Sequence, residues 1–327
     1  MKRFVALTTK IFLLFYFVYL AQVSQADSPK IEQENCHSRL LTKGEGCFLY
    51  QVKAQKLSIP VYYFLPSKVD SNTQIVFAMH GEKRNARDYR NDWRKIYSDR
   101  QTNLILLAPE FTQNNFPGYA SYNLGNIFTK SLAQLKSQDQ WAFSDIENIF
   151  DFVKKREKLQ LSTYYIYGHS AGAQFVHRMI IFMPHARIRK AVAAEAGSYT
   201  IPDKYMEYPC GLRKETGNQL PPVELKTVFS TPMTIILGTK DNKSLSDEHD
   251  TYSCDAKQGS NRLNRGEYFY TQVKRIANSR KENLSWILKQ VTAAHIVAHT
   301  NPPIEDPMLV SCAALEFFPN LKGINCN

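Results

Sequence analysis

The chain has 327 residues, of which 43% are hydrophobic and 12% aromatic, so it can bury a sizeable core. Lysine and arginine exceed aspartate and glutamate by 41 − 30 = 11, but the positive residues are scattered and form no stripe. We therefore interpret the excess as a basic, solvated surface and expect no nucleic-acid partner. Binding to nucleic acid or to an anionic surface is the alternative.

The first residues are typical of a secretory signal peptide. Two positive residues precede an apolar run at 11–20, and the small residues Ser24 and Ala26 stand at −3 and −1 of a cleavage site. We expect a signal peptide at 1–26 and one domain at 27–327. An uncleaved anchor is the alternative, although the run is shorter than the ~20 residues that a membrane span needs. We expect a secreted or periplasmic protein without stable membrane insertion.

Six cysteines lie in the mature chain, and an even number in an exported protein favours disulfides. The pairs that we expect from local spacing are Cys36–Cys47, Cys210–Cys254 and Cys312–Cys326. Free buried thiols are the alternative. The spacing shows neither a CxxC pair nor a Cys/His metal motif, so no metal site is predicted.

Strand-like and helix-like segments alternate along the chain, which predicts an α/β fold with a mostly parallel central sheet flanked by helices. The predicted strands are 48–54, 57–64, 74–79, 103–108, 163–167, 191–194, 233–237 and 284–291. The first two strands predict an antiparallel N-terminal hairpin at the sheet edge. The predicted helices are 85–101, one opened by a capping box at Ser144 and Glu147, 171–183, 262–280 and 306–318. Long loops are predicted at 110–140, 199–230 and 242–258, with lid insertions near 197–230 and 242–260.

The residues around Ser170 form the pattern of a nucleophile elbow. A strand at 163–167 is followed by Gly168, His169, Ser170 and, two residues later, Gly172, after which helix-forming residues begin. A serine on so tight a turn adopts a strained conformation, and only small neighbours let strand and helix approach closely. The pattern predicts that the hydroxyl of Ser170 stands clear of the sheet.

A serine nucleophile needs a base, and the base needs an acid to orient it. In a doubly wound sheet these groups should lie at the carboxyl ends of strands. Asp241 follows the strand at 233–237, and His295 follows the strand at 284–291. We predict Ser170, His295 and Asp241 as the catalytic residues. The rivals are Asp247 and Asp250 for the acid, and His249 and His299 for the base.

An oxyanion requires two backbone N–H groups aimed at the developing charge. One should come from Ala171, directly after the nucleophile. The other should come from the loop after the strand at 74–79, where Gly81 lets the backbone approach a substrate, and we favour the amide of Glu82. A plain strand-ending turn at His80 and Gly81 is the alternative.

Several blocks carry a resemblance to a known family. They are His80-Gly81 with residues 84–90, Tyr167–Gly172 with 174–177, residues 196–200, and residues 258–262. The chain resembles exported α/β-hydrolases, in particular those grouped around polyhydroxybutyrate depolymerases and feruloyl or acetylxylan esterases. The resemblance spans about residues 57–318. It implies the α/β-hydrolase fold, a serine-ester mechanism and the chain order Ser, Asp, His.

The chain departs from that family in two places. Residues 292–294 before His295 are Thr, Ala and Ala where such enzymes often carry glycines, and no substrate-binding module follows the catalytic region. These departures leave the substrate open. From the predicted catalytic residues and the resemblance, we expect a serine hydrolase that cleaves carboxylic esters, small or polymeric, without a metal or organic cofactor. A peptidase or thioesterase with the same triad is the enzyme alternative. A catalytically inactive binding protein is the other.

Three aromatic residues and one cysteine pair could shape the site. Trp141, Tyr119 and Tyr122 lie in or beside the loop that could face Ser170, where they would line an acyl pocket or serve as packing residues. Cys210 and Cys254 fall in the two long insertions that flank the strand before Asp241. If bridged, they would hold a lid segment beside the site. The arginines after Gly81 are interpreted as surface ion pairs that fix the oxyanion loop.

Overall fold

The computed structural model describes residues 36, 41–52, 54–97, 103–129, 134–214, 220–245, 255–297 and 304–326. All of these belong to the unit Cys36–Asn327. The predicted signal peptide lies outside the described residues, as do Asp247, Asp250, His249, His299 and Cys254. Within the described ranges, no helix has the length and apolar character that a membrane crossing requires.

An eight-stranded mixed sheet forms the centre of the fold. Its strands are β1 (Gly44–Gln51), β2 (Ser58–Leu65), β3 (Gln74–Met79), β4 (Leu104–Pro109), β5 (Tyr164–His169), β6 (Ile188–Ala194), β7 (Met233–Gly238) and β8 (Trp286–Val291). They are ordered β1-β2-β4-β3-β5-β6-β7-β8. Strands β3 to β8 run parallel, whereas β1 pairs with β2, and β2 with β4, in antiparallel fashion. The predicted sheet and its N-terminal hairpin are confirmed.

The burial pattern of each strand explains how clearly the sequence predicts it. Every residue of β4, β5 and β7 is buried, as expected for parallel strands covered on both faces. Strand β2 instead alternates between buried and half-buried residues, which is the period of a strand with one face on the core. Strand β8, at the sheet edge, has only its first and last residues buried.

Helices cover both faces of the sheet. They are α1 (Ala86–Tyr97), α2 (Ala142–Arg156), α3 (Ala171–Phe182), α4 (Leu225–Ser230), α5 (Asp255–Gln258), α6 (Arg262–Ser279) and α7 (Pro307–Phe317). On one face, Trp93 of α1 stacks on Phe317 of α7 with ring centroids 5.8 Å apart. On the other face, Phe175 of α3 packs edge-on against Phe143 of α2 at 4.8 Å. A short hairpin, β9 (Ile296–Val297) with β10 (Ile304–Glu305), follows β8.

The predicted capping box is wrong. Helix α2 begins at Ala142 with Trp141 as its N-cap, and no side chain caps it. The hydroxyl of Ser144 donates to the carbonyl of Gln138 at 2.6 Å. Glu147 accepts a hydrogen bond from Nε of Arg187 at 2.6 Å. Both side chains therefore form other hydrogen bonds, one local and one tertiary, in place of the cap.

Two of the expected disulfides are present. Cys36 is bonded to Cys47 and Cys312 to Cys326. Cys210 is also disulfide-bonded, and its expected partner Cys254 lies outside the described residues. The predicted loops at 199–230 and 242–258 contain the short helices α4 and α5. These helices were not predicted, because so few helical turns leave no long periodic pattern in the sequence.

Candidate active site

The predicted elbow at Ser170 has the expected geometry. Strand β5 ends at His169, α3 begins at Ala171, and Ser170 between them has φ 56° and ψ −116°. A Cβ placed on Gly168 would lie 2.2 Å from the carbonyl oxygen of Gly172. A Cβ on Gly172 would lie 2.2 Å from the carbonyl oxygen of Met79, in β3. Both glycines are therefore required for the close approach of strand and helix.

Two carboxylates face the imidazole of His295. Nδ1 of His295 lies 3.0 Å from Oε2 of Glu195, with hydrogen-bond geometry, and 3.3 Å from Oδ2 of Asp241. The other oxygen of Asp241, Oδ1, is 3.4 Å from a guanidinium nitrogen of Arg262. With the Nδ1 proton held by a carboxylate, Nε2 of His295 carries a lone pair and can act as a base.

Glu195 was not among the residues predicted for the site. It directly follows β6, so the rule that selected Asp241 at the end of β7 would also have selected Glu195. Its side chain is 1% exposed, its φ is 52°, and its Oε1 accepts the N–H of Gly238 at 2.9 Å. A positive φ at a non-glycine residue marks backbone strain that the surrounding structure sustains.

The electrostatics of these groups are coupled. Burial lowers the pKa of His295, but the carboxylates of Asp241 and Glu195 outweigh it and hold the pKa above its ordinary value. Burial would raise the pKa of Glu195, but His169 and His295 lower it to about 2. Glu195 is therefore ionised wherever the protein is folded at ordinary pH.

His169, the last residue of β5, also lies near Glu195. Its Nδ1 is hydrogen-bonded to the hydroxyl of Tyr89 at 2.9 Å, and its Nε2 is 3.6 Å from Oε2 of Glu195. Burial and the charge of His295 lower the pKa of His169 to about 4, so it is neutral near pH 7. His169, Glu195 and His295 offer ligand atoms within 4.8 Å of one another. Nδ1 of His295 and Oε2 of Glu195 are, however, already hydrogen-bonded to each other.

The predicted oxyanion loop follows β3 and is fixed by buried hydrogen bonds. Nδ1 of His80 donates to the carbonyl of Gly81 at 2.8 Å, and Nε2 of His80 accepts the N–H of Phe111 at 3.0 Å. The guanidinium of Arg84 donates to the carbonyls of Phe111 at 2.8 Å and Gly118 at 3.1 Å. The expected surface ion pairs are thus replaced, for Arg84, by bonds to the backbone carbonyls of Phe111 and Gly118. Burial lowers the pKa of His80 to about 3, so it is a neutral spacer.

Two cavities meet at Ser170. The first has a volume of about 160 Å³ and is lined by Ala171, the predicted oxyanion donor, and mainly by polar side chains. The second has a volume of about 300 Å³ and is lined by His295, His169 and Glu305. Ser170, Glu82 and Arg262 line both. The predicted nucleophile and both predicted oxyanion residues therefore line the first cavity, and the predicted base lines the second, which shares Ser170 with it.

The first cavity is polar because a buried hydrogen-bond network forms its wall. The hydroxyl of Tyr119 donates to Oε1 of Gln174 at 2.5 Å and is hydrogen-bonded to Ser198 at 2.8 Å. The buried guanidinium of Arg178 donates to Gln174 at 3.1 Å and to Ser198 at 3.2 Å. Of the three aromatic residues proposed for this region, Tyr119 lines the cavity. Trp141 and Tyr122 are buried packing residues.

The segment at 258–262 supports the same wall from behind. Gln258 accepts the N–H of Tyr199 at 3.0 Å and donates to its carbonyl at 2.8 Å. Arg265, one turn into α6, donates to the carbonyl of Gly197 at 2.7 Å. These contacts hold the loop after β6, which carries Ser198, against the first cavity. The segment also places the guanidinium of Arg262 next to Asp241.

Glu305 is an unusual group in the second cavity. It is 7% exposed, and neither of its carboxylate oxygens has a hydrogen-bond partner among the described residues. Burial, with Asp92 and Asp306 nearby, raises its pKa well above the ordinary range. Its two unpartnered oxygens therefore belong to the wall of the second cavity, which His295 also lines.

Solved structures similar to this chain are hydrolases. Poly(aspartic acid) hydrolase-1 from Sphingomonas sp. KT-1 is 35% identical, with a TM-score of 0.73, over 84% of this chain and 98% of that one. LpqC, a poly(3-hydroxybutyrate) depolymerase from Bordetella parapertussis, is 26% identical with a TM-score of 0.73, over 86% of this chain and 92% of that one. No protein-family model matches the chain. No curated protein matches it either.

The identity to the first of these structures extends over nearly its whole length, and the strand order and the elbow agree with the expected architecture. The resemblance inferred from the sequence is thereby confirmed. The chain belongs to the α/β-hydrolase superfamily.

Proposed function

We propose that this protein is an exported serine hydrolase that cleaves carboxylic esters through an acyl-enzyme. The arrangement of Ser170 and His295 around one cavity, with carboxylates on the far side of the imidazole, carries the proposal. The similar solved structures support hydrolysis in general. The two local disulfides are compatible with export.

The proposed steps follow the established logic of serine hydrolysis. Nε2 of His295 takes the proton of Ser170 as its oxygen attacks the carbonyl carbon, and the carboxylates of Asp241 and Glu195 at Nδ1 stabilise the imidazolium that forms. The amides of Ala171 and Glu82 donate to the oxyanion. His295 then returns the proton to the leaving alcohol, and a water molecule, activated in the same way, releases the acid and restores Ser170.

The two cavities take different parts of the substrate in this mechanism. The proton returns to the leaving group from His295, so the second cavity, which His295 lines, holds the leaving group. The first cavity borders Ala171 but lies away from His295, so it holds the acyl part. Leu245 and Ala171 are the aliphatic side chains of its lining. An acyl chain with polar substituents therefore fits the first cavity better than an alkyl chain.

Covalent labelling tests the nucleophile directly. We expect a fluorophosphonate probe to react with the mature protein at Ser170, because this reagent requires a serine oxygen activated by a base beside an oxyanion hole. Mass spectrometry of the labelled peptide identifies the residue. Labelling elsewhere, or no labelling of a folded protein, would contradict the proposed role of Ser170.

Amide hydrolysis is the second candidate, because the structure that is 35% identical is a poly(aspartic acid) hydrolase. Poly(aspartic acid) is a chain of amides that bear carboxylates. The polar lining of the first cavity favours such a chain over a methyl-branched polyester. Acyl transfer from an amide uses the same residues, so the mechanism alone does not choose between the two.

A substrate panel separates these candidates. We expect kcat/KM for 4-nitrophenyl octanoate to fall at least about tenfold below that for the acetate ester, since extra methylenes find no apolar wall in the first cavity. For a 4-nitrophenyl ester with a polar acyl chain, kcat/KM should return to about the value for the acetate ester. Faster turnover of poly(aspartic acid) than of any ester would favour the amide reaction. A steady rise in kcat/KM with alkyl length would contradict the assignment of the cavities.

A further inference from the structure

We propose that Glu195 is the principal acid that orients His295, and that Asp241 is a second carboxylate that shares the position. This inference rests on the proposed function, because it concerns the base of the same reaction. Glu195 acts through His295 and touches no substrate atom, so it is a positioning residue. The chain order of the principal groups is then Ser170, Glu195 and His295.

The geometry at Nδ1 favours Glu195. An imidazole Nδ1 has one proton to donate, and it meets Oε2 of Glu195 at 3.0 Å in hydrogen-bond geometry. Asp241 is farther away, at 3.3 Å, and its Oδ2 has no hydrogen-bond partner among the described residues. The Nδ1–H group of His295 therefore donates its hydrogen bond to Glu195 in this structure.

The carboxylate of Glu195 is also held more firmly. Its side chain is 1% exposed, and Oε1 is anchored by the N–H of Gly238 at 2.9 Å. A Cβ on Gly238 would lie 2.2 Å from that same Oε1, so the glycine at the end of β7 leaves space for Glu195. By contrast, Oδ1 of Asp241 has a long, 3.4 Å contact with Arg262, whose side chain borders both cavities.

The strain at Glu195 has a reason in this arrangement. Its φ of 52° turns the side chain back from the end of β6 toward β7 and His295. An ordinary strand ending would not require a positive φ at a glutamate, which strains the backbone. Burying a carboxylate costs free energy too, unless hydrogen bonds and opposite charge compensate it. Both costs are offset if Glu195 binds the imidazolium that forms during the reaction.

The amide variant Glu195→Gln gives a sharp test. Its Oε1 would keep the bond to Gly238, so its NH₂ group would face Nδ1 of His295. That contact favours the tautomer with the proton on Nε2, in which His295 cannot accept the proton of Ser170. An acid-to-amide change of this kind lowers kcat by up to about 10⁴-fold. We expect a loss of at least about 10²-fold for Glu195→Gln and a smaller loss for Asp241→Asn.

The pH profile separates orientation from a merely structural role. The charged or titratable groups that face His295 are Glu195, Asp241, His169 and Arg262, from the ends of three strands and the start of α6. Removing the charge of Glu195 lowers the pKa of His295. The acid limb of kcat/KM should therefore move down by about one pH unit in Glu195→Gln. A structural defect would lower the rate without moving the limb.

The set of variants makes every outcome decisive. Glu224→Gln, at a 59% exposed carboxylate, is the matched control and should behave as wild type. Glu195→Asp retains the charge and should recover part of the loss and the wild-type pH limb. A low-field Nδ1–H proton NMR signal of His295 should persist in Asp241→Asn and disappear in Glu195→Gln. If Glu195→Gln does not fold, Asp241→Asn and Glu195→Asp carry the test.

Two results would overturn the inference. One is near wild-type activity and an unchanged pH limb for Glu195→Gln. The other is a loss of about 10⁴-fold for Asp241→Asn alone, which would make Asp241 the principal acid. Failure of the proposed function is distinguishable, because it would appear as Ser170→Ala retaining activity whatever happens at Glu195.

Discussion

Replacing Ser170 by alanine is expected to lower kcat about 10⁶-fold, while the protein remains folded. The hydroxyl is the proposed attacking atom, and an alanine side chain offers no oxygen in its place. The residual activity should reflect binding and the oxyanion donors alone. Hydrolysis of 4-nitrophenyl acetate by the purified variant, freed of wild-type contamination, measures the loss.

Stability should be little changed in this variant, because the elbow is held by backbone groups. The N–H of Ser170 donates to the carbonyl of Ala194 at 2.9 Å, and the carbonyl of Ser170 accepts the N–H of Gln174 at 3.1 Å. Both bonds survive in Ser170→Ala. The matched control is Ser230→Ala on the exposed end of α4, which should keep full activity. Activity within tenfold of wild type in Ser170→Ala would refute the proposed mechanism.

Replacing Gly172 by alanine is expected to destabilise the protein by about 3 kcal/mol or more. The added Cβ would lie 2.2 Å from the carbonyl oxygen of Met79 and 2.8 Å from that of His80. These are backbone atoms at the end of a central strand, so relief requires β3 and α3 to move apart. The same movement would displace the oxyanion loop, so kcat should fall even in molecules that fold.

Urea denaturation followed by circular dichroism measures the change in the free energy of unfolding. Gly44→Ala is the matched control: its φ is +89°, but a Cβ there meets nothing within 4 Å. It should cost only about 1 kcal/mol through backbone strain and leave kcat unchanged. Equal free energies of unfolding for the two variants would show that the contact between β3 and α3 is looser than the structure has it.

The elbow was predictable because its determinants are neighbours in the chain. A buried strand, two glycines and a helix-forming segment lie within about twenty residues of Ser170, and steric limits on the turn act locally. The central strands were equally easy to predict from the sequence. Burial on both faces leaves an uninterrupted apolar run, as in β3 and β5, that sequence reading recognises directly.

The capping box at Ser144 failed for the opposite reason. The motif is local, but Glu147 found a stronger partner in Arg187, forty residues away along the chain. A charge-assisted bond to a guanidinium is worth more than a helix cap, and the helix begins three residues earlier than predicted, with Trp141 as its N-cap. Local signals are reliable where no distant charge competes for the same side chain.

The sequence by itself determined the α/β architecture, the elbow and the strand ends from which Asp241 and His295 come. It could not rank the acids, because Glu195 and Asp241 satisfy the same strand-end rule. Glu195 lies 100 residues from the histidine that it contacts. Their arrangement depends on a φ of 52° at Glu195 and on the space left by Gly238, and these appear only when β6, β7 and the segment after β8 are brought side by side. Only the tertiary structure distinguishes the contacts of the two carboxylates, because a hydrogen bond depends on tenths of an ångström and on direction, which chain order does not encode.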